Sequence, residues 1–121
     1  MNIILHITKY EQWIKEKETG AGAYRSNTLD SQGFIHCSTK EQILRVANSL
    51  FKNQKGLVLI VIDSNKITSE IKYENLEGGS ELFPHIYRLL NIDAVIKVLK
   101  FEPGIDGNFT LPEELSNLFI I

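Results

Sequence analysis

Apolar positions along this chain fall into two rhythms, short unbroken or alternating runs and stripes at helical spacing. "IILHI" (3–7) reads as a first strand. Thr8 and Glu11 then have the spacing of a capping box, which starts a helix through Trp13 and Ile14 to about Thr19, stopped by Gly20 and Gly22. "AYRSNTLDSQG" (23–33) is polar and turn-rich and predicts an irregular surface loop. "FIHC" (34–37) is a second strand, and Ser38 with Glu41 forms a second capping box. The helix after it carries Ile43, Leu44, Val46, Ala47, Leu50 and Phe51 as an apolar stripe. "GLVLIVID" (56–63) is a continuous β-branched run, the pattern of a strand buried on both faces. "EIKYENL" (70–76) predicts a partner strand, "EGGSELFPHIYRLL" (77–90) a glycine turn leading into mixed apolar sequence, and "AVIKVLKF" (94–101) an alternating strand. "PGIDG" is a turn, and Thr110, Pro112 and Glu113 start a short C-terminal helix. Strands and helices mix without regular βαβ alternation, so the expected class is α+β.

At 121 residues the length predicts a single domain, 1–121, with room for a proper core. A formal net charge of −2 argues against a general nucleic-acid or anionic-membrane binder, though a local basic pocket fits it. A single cysteine allows no internal disulfide. The opening "MNIILHITKY" lacks a basic start and a small-residue cleavage site, and no apolar run reaches membrane-spanning length. These features predict a cytoplasmic protein.

The chemistry concentrates at the histidines. His6 and His36 each end an apolar run, each followed one residue later by a hydroxyl residue and then by a helix. Unpaired N–H groups and the helix dipole favour an anion there, and a neutral imidazole could donate to a ligand or act as acid or base. The plain alternative is a core histidine hydrogen-bonded to backbone, and the two readings stand level for the pair. Strand alternation puts His36 on the face of Phe34, opposite Ile35 and Cys37, so Cys37 and His36 form no nucleophile–base dyad. Cys37 reads as a small buried hydrophobe. The third histidine stands in a segment holding Glu81, His85, Tyr87 and Arg88, either a pocket wall or a twisted edge strand interrupted by Pro84. Three histidines without metal-ligand spacing predict no metal site. Arg25 precedes the second histidine strand, within reach of an anion held at the two helix starts, whereas Arg45 reads as a surface residue. No Walker A, G-x-G-x-x-G or G-x-S-x-G element is present.

"LHIT", "YRSNTLDSQGFIHCSTKEQI", "LVLIVID", "GGSELFPHIY" and "FEPGIDGNFTLP" together resemble the bacterial domain-of-unknown-function family 952 over nearly the whole chain. The chain departs from the family pattern after Tyr87, where Arg88-Leu89 stands in place of Gly-Pro. The resemblance implies an ADP-ribosyltransferase-like fold, a split, mixed β-sheet with flanking helices around a cleft. In such enzymes a histidine or arginine on the first strand holds the ribose of NAD, a position that His6 matches, and His36-Cys37-Ser38 is similar to the His-x-Ser segment of RNA 2′-phosphotransferases. Glu81 is the candidate for the transition-state glutamate. The expected site therefore has Glu81 and His36 as catalytic residues and His6, Arg25, Ser38, His85 and Tyr87 as ligand-binding residues, around a small nucleotide-like or anionic ligand, with NAD as the implied cofactor. Three functions remain open: ADP-ribosyl or phosphoryl transfer, non-catalytic binding of a nucleotide or anion, and an interaction domain with structural histidines.

Overall fold

In a computed structural model, which describes residues 2–19 and 22–118, the chain runs β1 (Ile3–Lys9), α1 (Tyr10–Thr19), β2 (Ala23–Tyr24), α2 (Asn27–Gln32), β3 (Ile35–His36) and α3 (Lys40–Leu50). It continues through β4 (Leu57–Asp63), β5 (Ile71–Glu74), β6 (Phe83–Ile86), β7 (Leu90–Asn91), β8 (Val95–Phe101) and α4 (Glu113–Leu118), with single 3-10 turns at Ser64–Lys66 and Ile92–Ala94. The class is α+β. The strands form three sheets, ordered β1-β4-β8, β2-β7 and β3-β6-β5. The expectation of a mixed sheet is corrected, because each strand pair is antiparallel. Segments of two to seven residues meet directly here, whereas a parallel pair needs a long crossover between neighbouring strands.

The β-branched run behaves as its pattern predicts: all seven residues of β4 are buried. Alternation divides them between two cores. Val58, Ile60 and Ile62 join Ile4, Trp13, Tyr24, Ile35 and Cys37 on one face. Leu57, Leu59 and Val61 join Leu5, Ile7, Ile43, Ala47 and Leu115 on the other. Each such side chain contributes about 1.5–3 kcal/mol through burial, which makes the central sheet the rigid part of the molecule. Phe101 and Phe109 stack at 4.6 Å and close the second core.

Several boundaries move for one reason, that ladder hydrogen bonds outcompete local caps. Thr8 is no helix cap, because the β1–β4 ladder runs on to Lys9 opposite Leu57 and keeps Thr8 paired with Val58. Helix α1 accordingly starts at Tyr10, whose N–H donates to the Gly56 carbonyl. Ser38 is likewise no cap. Its N–H and C=O exchange hydrogen bonds with Leu5, both at 2.8 Å, so the cap shifts to Thr39, whose N–H donates to Gln42 Oε1 at 3.0 Å. The expected loop 23–33 holds β2 and α2, and its Tyr24 is completely buried. Of the two glycine stops expected for α1, Gly20 lies outside the described residues, and Gly22 adopts φ +90°. Among the described residues no helix is long and apolar enough to cross a membrane.

The Leu5–Ser38 bridge joins the large sheet to the β3-β6-β5 sheet. Within the smaller sheet β6 is the central strand despite Pro84, which has no N–H but offers its carbonyl to Cys37 N–H at 2.9 Å. The twisted-edge alternative for this segment is thereby corrected.

Candidate functional site

The two histidines meet at this bridge, and the expectation that both end strands is corrected for His6: the ladder continues to Lys9, so His6 stands mid-strand opposite Ile60, whereas His36 does end β3. His6 lies on the inner face of β1, 5% exposed, and its Nδ1 is 2.8 Å from the His36 carbonyl oxygen. A carbonyl only accepts, so Nδ1 carries the proton and donates, and Nε2 must accept from the Tyr24 hydroxyl at 3.0 Å. Tyr24 also meets the Thr8 and Ser26 hydroxyls, and its ring packs on Trp13 at 5.1 Å. Burial pushes the His6 pKa down to about 4, partly offset by the bond to His36, so the ring is neutral at physiological pH. Both of its nitrogens are occupied.

His36 turns its ring the other way, into a chain of polar groups on the small sheet. Its Nδ1 lies 3.2 Å from His85 Nε2, and His85 Nδ1 lies 3.0 Å from Glu74 Oε1. The Tyr87 hydroxyl donates to the same Glu74 oxygen. Those two hydrogen bonds, Tyr87 first, hold the Glu74 carboxyl below the usual carboxylate range, while Glu74 pushes the Tyr87 hydroxyl up to about 12. An ionised Glu74 only accepts, which places a proton on His85 Nδ1. The lone pair of His85 Nε2 then receives the proton of His36 Nδ1, and the lone pair on His36 Nε2 points outward. No buried side-chain nitrogen or oxygen among the described residues lacks a partner, and Nε2 of His36 has none, so it is open to solvent. Burial, and then the neighbouring His85, lower the His36 pKa below that of a free imidazole.

Aromatic packing fixes the rings. Phe34 stacks on His85 with centroids 4.0 Å apart and planes at 15°, and Phe83 packs against His36 at 5.3 Å. Beyond Nε2 lies a groove of about 1050 Å³ whose wall includes His6, His36, Ser38, His85, Phe34 and Arg45.

Four of the seven expected site residues, His6, His36, Ser38 and His85, thus line one groove. Arg25 and Tyr87 line a different cleft, and Tyr87 reaches the first site only through its hydroxyl on Glu74. Glu81 lines neither. It pairs with Arg45 on the exposed surface and accepts from Gln42 Nε2 at 3.3 Å. Cys37 is packed in the core with its thiol pKa pushed up by burial. Glu74, Phe34 and Tyr24 were not singled out by the sequence. Glu74 reaches His85 only because the β5–β6 register sets it opposite Phe83, two positions from His85.

Residues 7–98 match the family described as "Protein of unknown function (DUF952)". The chain belongs to that family. It is similar to protein CC0527 from Caulobacter crescentus: the X-ray crystal structure shows 30% identity, a TM-score of 0.81, and coverage of 94% of this chain and 98% of that one. The solution NMR structure of CC0527 shows 29% identity and a TM-score of 0.76, with both chains covered in full. No curated protein matches the sequence. The fold of this chain is therefore shared with CC0527.

Proposed function

We propose that the groove is an active site in which His36 Nε2 exchanges a proton with a small, polar, nucleotide-like ligand. The supporting observation is the line Glu74–His85–His36, anchored at one end by a carboxylate and open at the other. When His36 Nε2 takes a proton, its Nδ1 proton can pass to His85 Nε2, and the resulting imidazolium stays beside Glu74. The same heavy atoms then serve as an acid for the return step. General acid–base groups of this kind contribute about 10²–10⁴-fold to a rate.

The finer reading is group transfer of the ADP-ribosyl or 2′-phosphoryl type, with NAD as the ligand in the first case. The His36-Cys37-Ser38 segment supports it, and fold-level likeness adds only analogy. In this reading Glu74 takes the carboxylate role expected of Glu81, acting through His85, while Glu81 orients Arg45 at the groove's rim. His6 holds the His36 backbone rather than the ligand.

The test is a titration of the protein with NAD, ADP-ribose and phosphorylated nucleotides, followed by calorimetry and product analysis, for wild type and His36→Gln. Turnover that is lost in His36→Gln while the melting temperature is kept supports the reading. Turnover that survives in His36→Gln sinks it, and binding without turnover leaves a binding module in its place.

A further inference from the structure

Tyr87 follows β6 and extends its ladder: its N–H donates to the Glu70 carbonyl at 2.9 Å, so the pairing with the β5 side runs on past Ile86. Alternation along the strand puts Tyr87 on the face of His85. From β5, Lys72 stands opposite His85 in register and Glu74 follows two positions later, so a cation and a carboxylate share that face. Phe34, just before β3, packs on both rings of β6: it stacks on His85 and meets Tyr87 at 5.6 Å and 45°. Lys72 Nζ lies 4.8 Å from the centre of the Tyr87 ring. Phe34 and Lys72 thus hold the ring, and the hydroxyl reaches Glu74.

One oxygen of Glu74 receives two donors. The Tyr87 hydroxyl and His85 Nδ1, the latter at 3.0 Å, both end on Oε1. An oxygen that already accepts a hydrogen bond is a weaker base toward the next proton, because the bond stabilises its ionised form. The low pKa of the Glu74 carboxyl follows, with Tyr87 the largest cause, His85 the next, and Lys72 a smaller one against the raising effect of burial. Tyr87 itself is pushed up to about 12, by Glu74 first, then by burial and Glu70, so it remains a donor wherever the histidines change charge. The other charged or titratable groups that act on this network are Glu77, beyond β5, and His6, from β1.

We propose that Tyr87 is a positioning residue that confines the exchanged proton to the two imidazoles: its hydroxyl occupies the Glu74 oxygen, so the carboxylate orients His85 without taking its proton. The role rests on the reading of His36 as an acid–base group. When a ligand proton reaches His36 Nε2, the Nδ1 proton of His36 moves to His85 Nε2. His85 then holds both ring protons and one positive charge beside the negative Glu74, and no third transfer follows. The stored proton stays across a 3.2 Å contact from His36 and returns by the same route. Without the hydroxyl, Glu74 would pull harder on His85, and the two imidazoles would keep the proton to higher pH. Tyr87 therefore sets the basicity of His36 from outside the groove, whose wall it does not join.

The experiment is a pH titration of the full chain carrying nitrogen-15 in its histidine rings, read by NMR, for wild type, Tyr87→Phe, Glu74→Gln and the double variant. Ring-nitrogen shifts report tautomer and charge at each imidazole and need no ligand. Tyr87→Phe removes one oxygen from a half-buried side chain and keeps the ring against Phe34 and Lys72, so the fold is retained. The His85 tautomer should stay as in wild type, while the His36 titration moves up by roughly half a unit, the order expected when one hydrogen bond to a charged acceptor is lost two groups away. In the Glu74→Gln background the same substitution should leave the His36 titration unmoved, because the hydroxyl acts only through the carboxylate. No shift in Tyr87→Phe, or an equal shift with and without Glu74, would overturn the role. Absence of turnover with any nucleotide would instead remove the catalytic reading of the groove, so the two failures are told apart.

Discussion

His6 and His36 have the same local sequence outline, and their side chains meet opposite fates a few ångströms apart. Around His6 every polar atom has a partner: one nitrogen donates to the His36 carbonyl, the other accepts from Tyr24, and the ring is sealed beneath β1. Around His36 one nitrogen is engaged by a chain ending in Glu74, and the other is open to the groove. A histidine with two partners is a structural member, and a histidine with one oriented partner is a poised base. The difference lies in what stands across from each ring, a tyrosine hydroxyl in one case and an imidazole backed by a carboxylate in the other.

The largest effect that sharpens this contrast is on chemistry. His36→Gln should lower turnover by about 10²–10⁴-fold while leaving the urea midpoint near that of wild type. If instead the midpoint falls and turnover holds, the two histidines have exchanged roles.

His6→Leu addresses the other half of the comparison. It removes the side-chain donor to the buried His36 carbonyl, while the Tyr24 hydroxyl keeps Thr8 and Ser26 as partners, and one such loss costs about 2 kcal/mol. Urea unfolding monitored at Trp13 measures this directly, and a loss under about 1 kcal/mol would remove His6 from its structural role.

Acid should act on the same residue. The folded-state pKa of His6, about 4, lies below its unfolded value of 6.5, so the unfolded chain binds more protons between those limits. The contribution of His6 to stability is therefore complete above pH 6.5 and is lost as pH falls toward 4. A shift of this size corresponds to about 3 kcal/mol across the window. Unfolding curves at stepped pH should show the slope in wild type and a shallower one in His6→Gln.

The smallest expected change belongs to Glu74. Glu74→Gln removes the acceptor charge that fixes the His85 tautomer, so turnover should fall roughly tenfold, as for a lost orienting partner. The acid limb of the pH profile should also move. In wild type that limb lies below pH 6.5, since burial and His85 lower the His36 pKa. A Glu74→Gln enzyme with wild-type rate and profile would show that the chain beyond His85 has no bearing on His36.

Legibility in the sequence followed the range of the forces involved. The β4 run, the alternating β8 and the apolar stripe of α3 were readable because burial of a whole face leaves a periodic trace. The caps at Thr8 and Ser38 were misread because both residues are committed to hydrogen bonds with distant strands. Segment 23–33 reads as polar loop, and a single buried tyrosine in it leaves no periodic trace. At the site, the strands carrying His6 and His36 were visible, and the end position was right for His36 but not for His6, which lies mid-strand in β1. What separated the two was not visible, since Tyr24 is 18 residues from His6, His85 is 49 residues from His36, and Glu74 is joined only through His85. Arg25 and Tyr87 were near the site in sequence and face another cleft in space.

The paired bonds between Leu5 and Ser38 have a consequence for motion. They fasten the small sheet bearing His36 to β1, which is itself locked along seven residue pairs to the most protected strand of the molecule. Local openings that free the β3 segment must break this joint, so the Leu5 and Ser38 amides should exchange with solvent as one cooperative unit, at a rate set by the central sheet rather than by the surrounding loops. The open nitrogen of His36 thus inherits its stillness from the core.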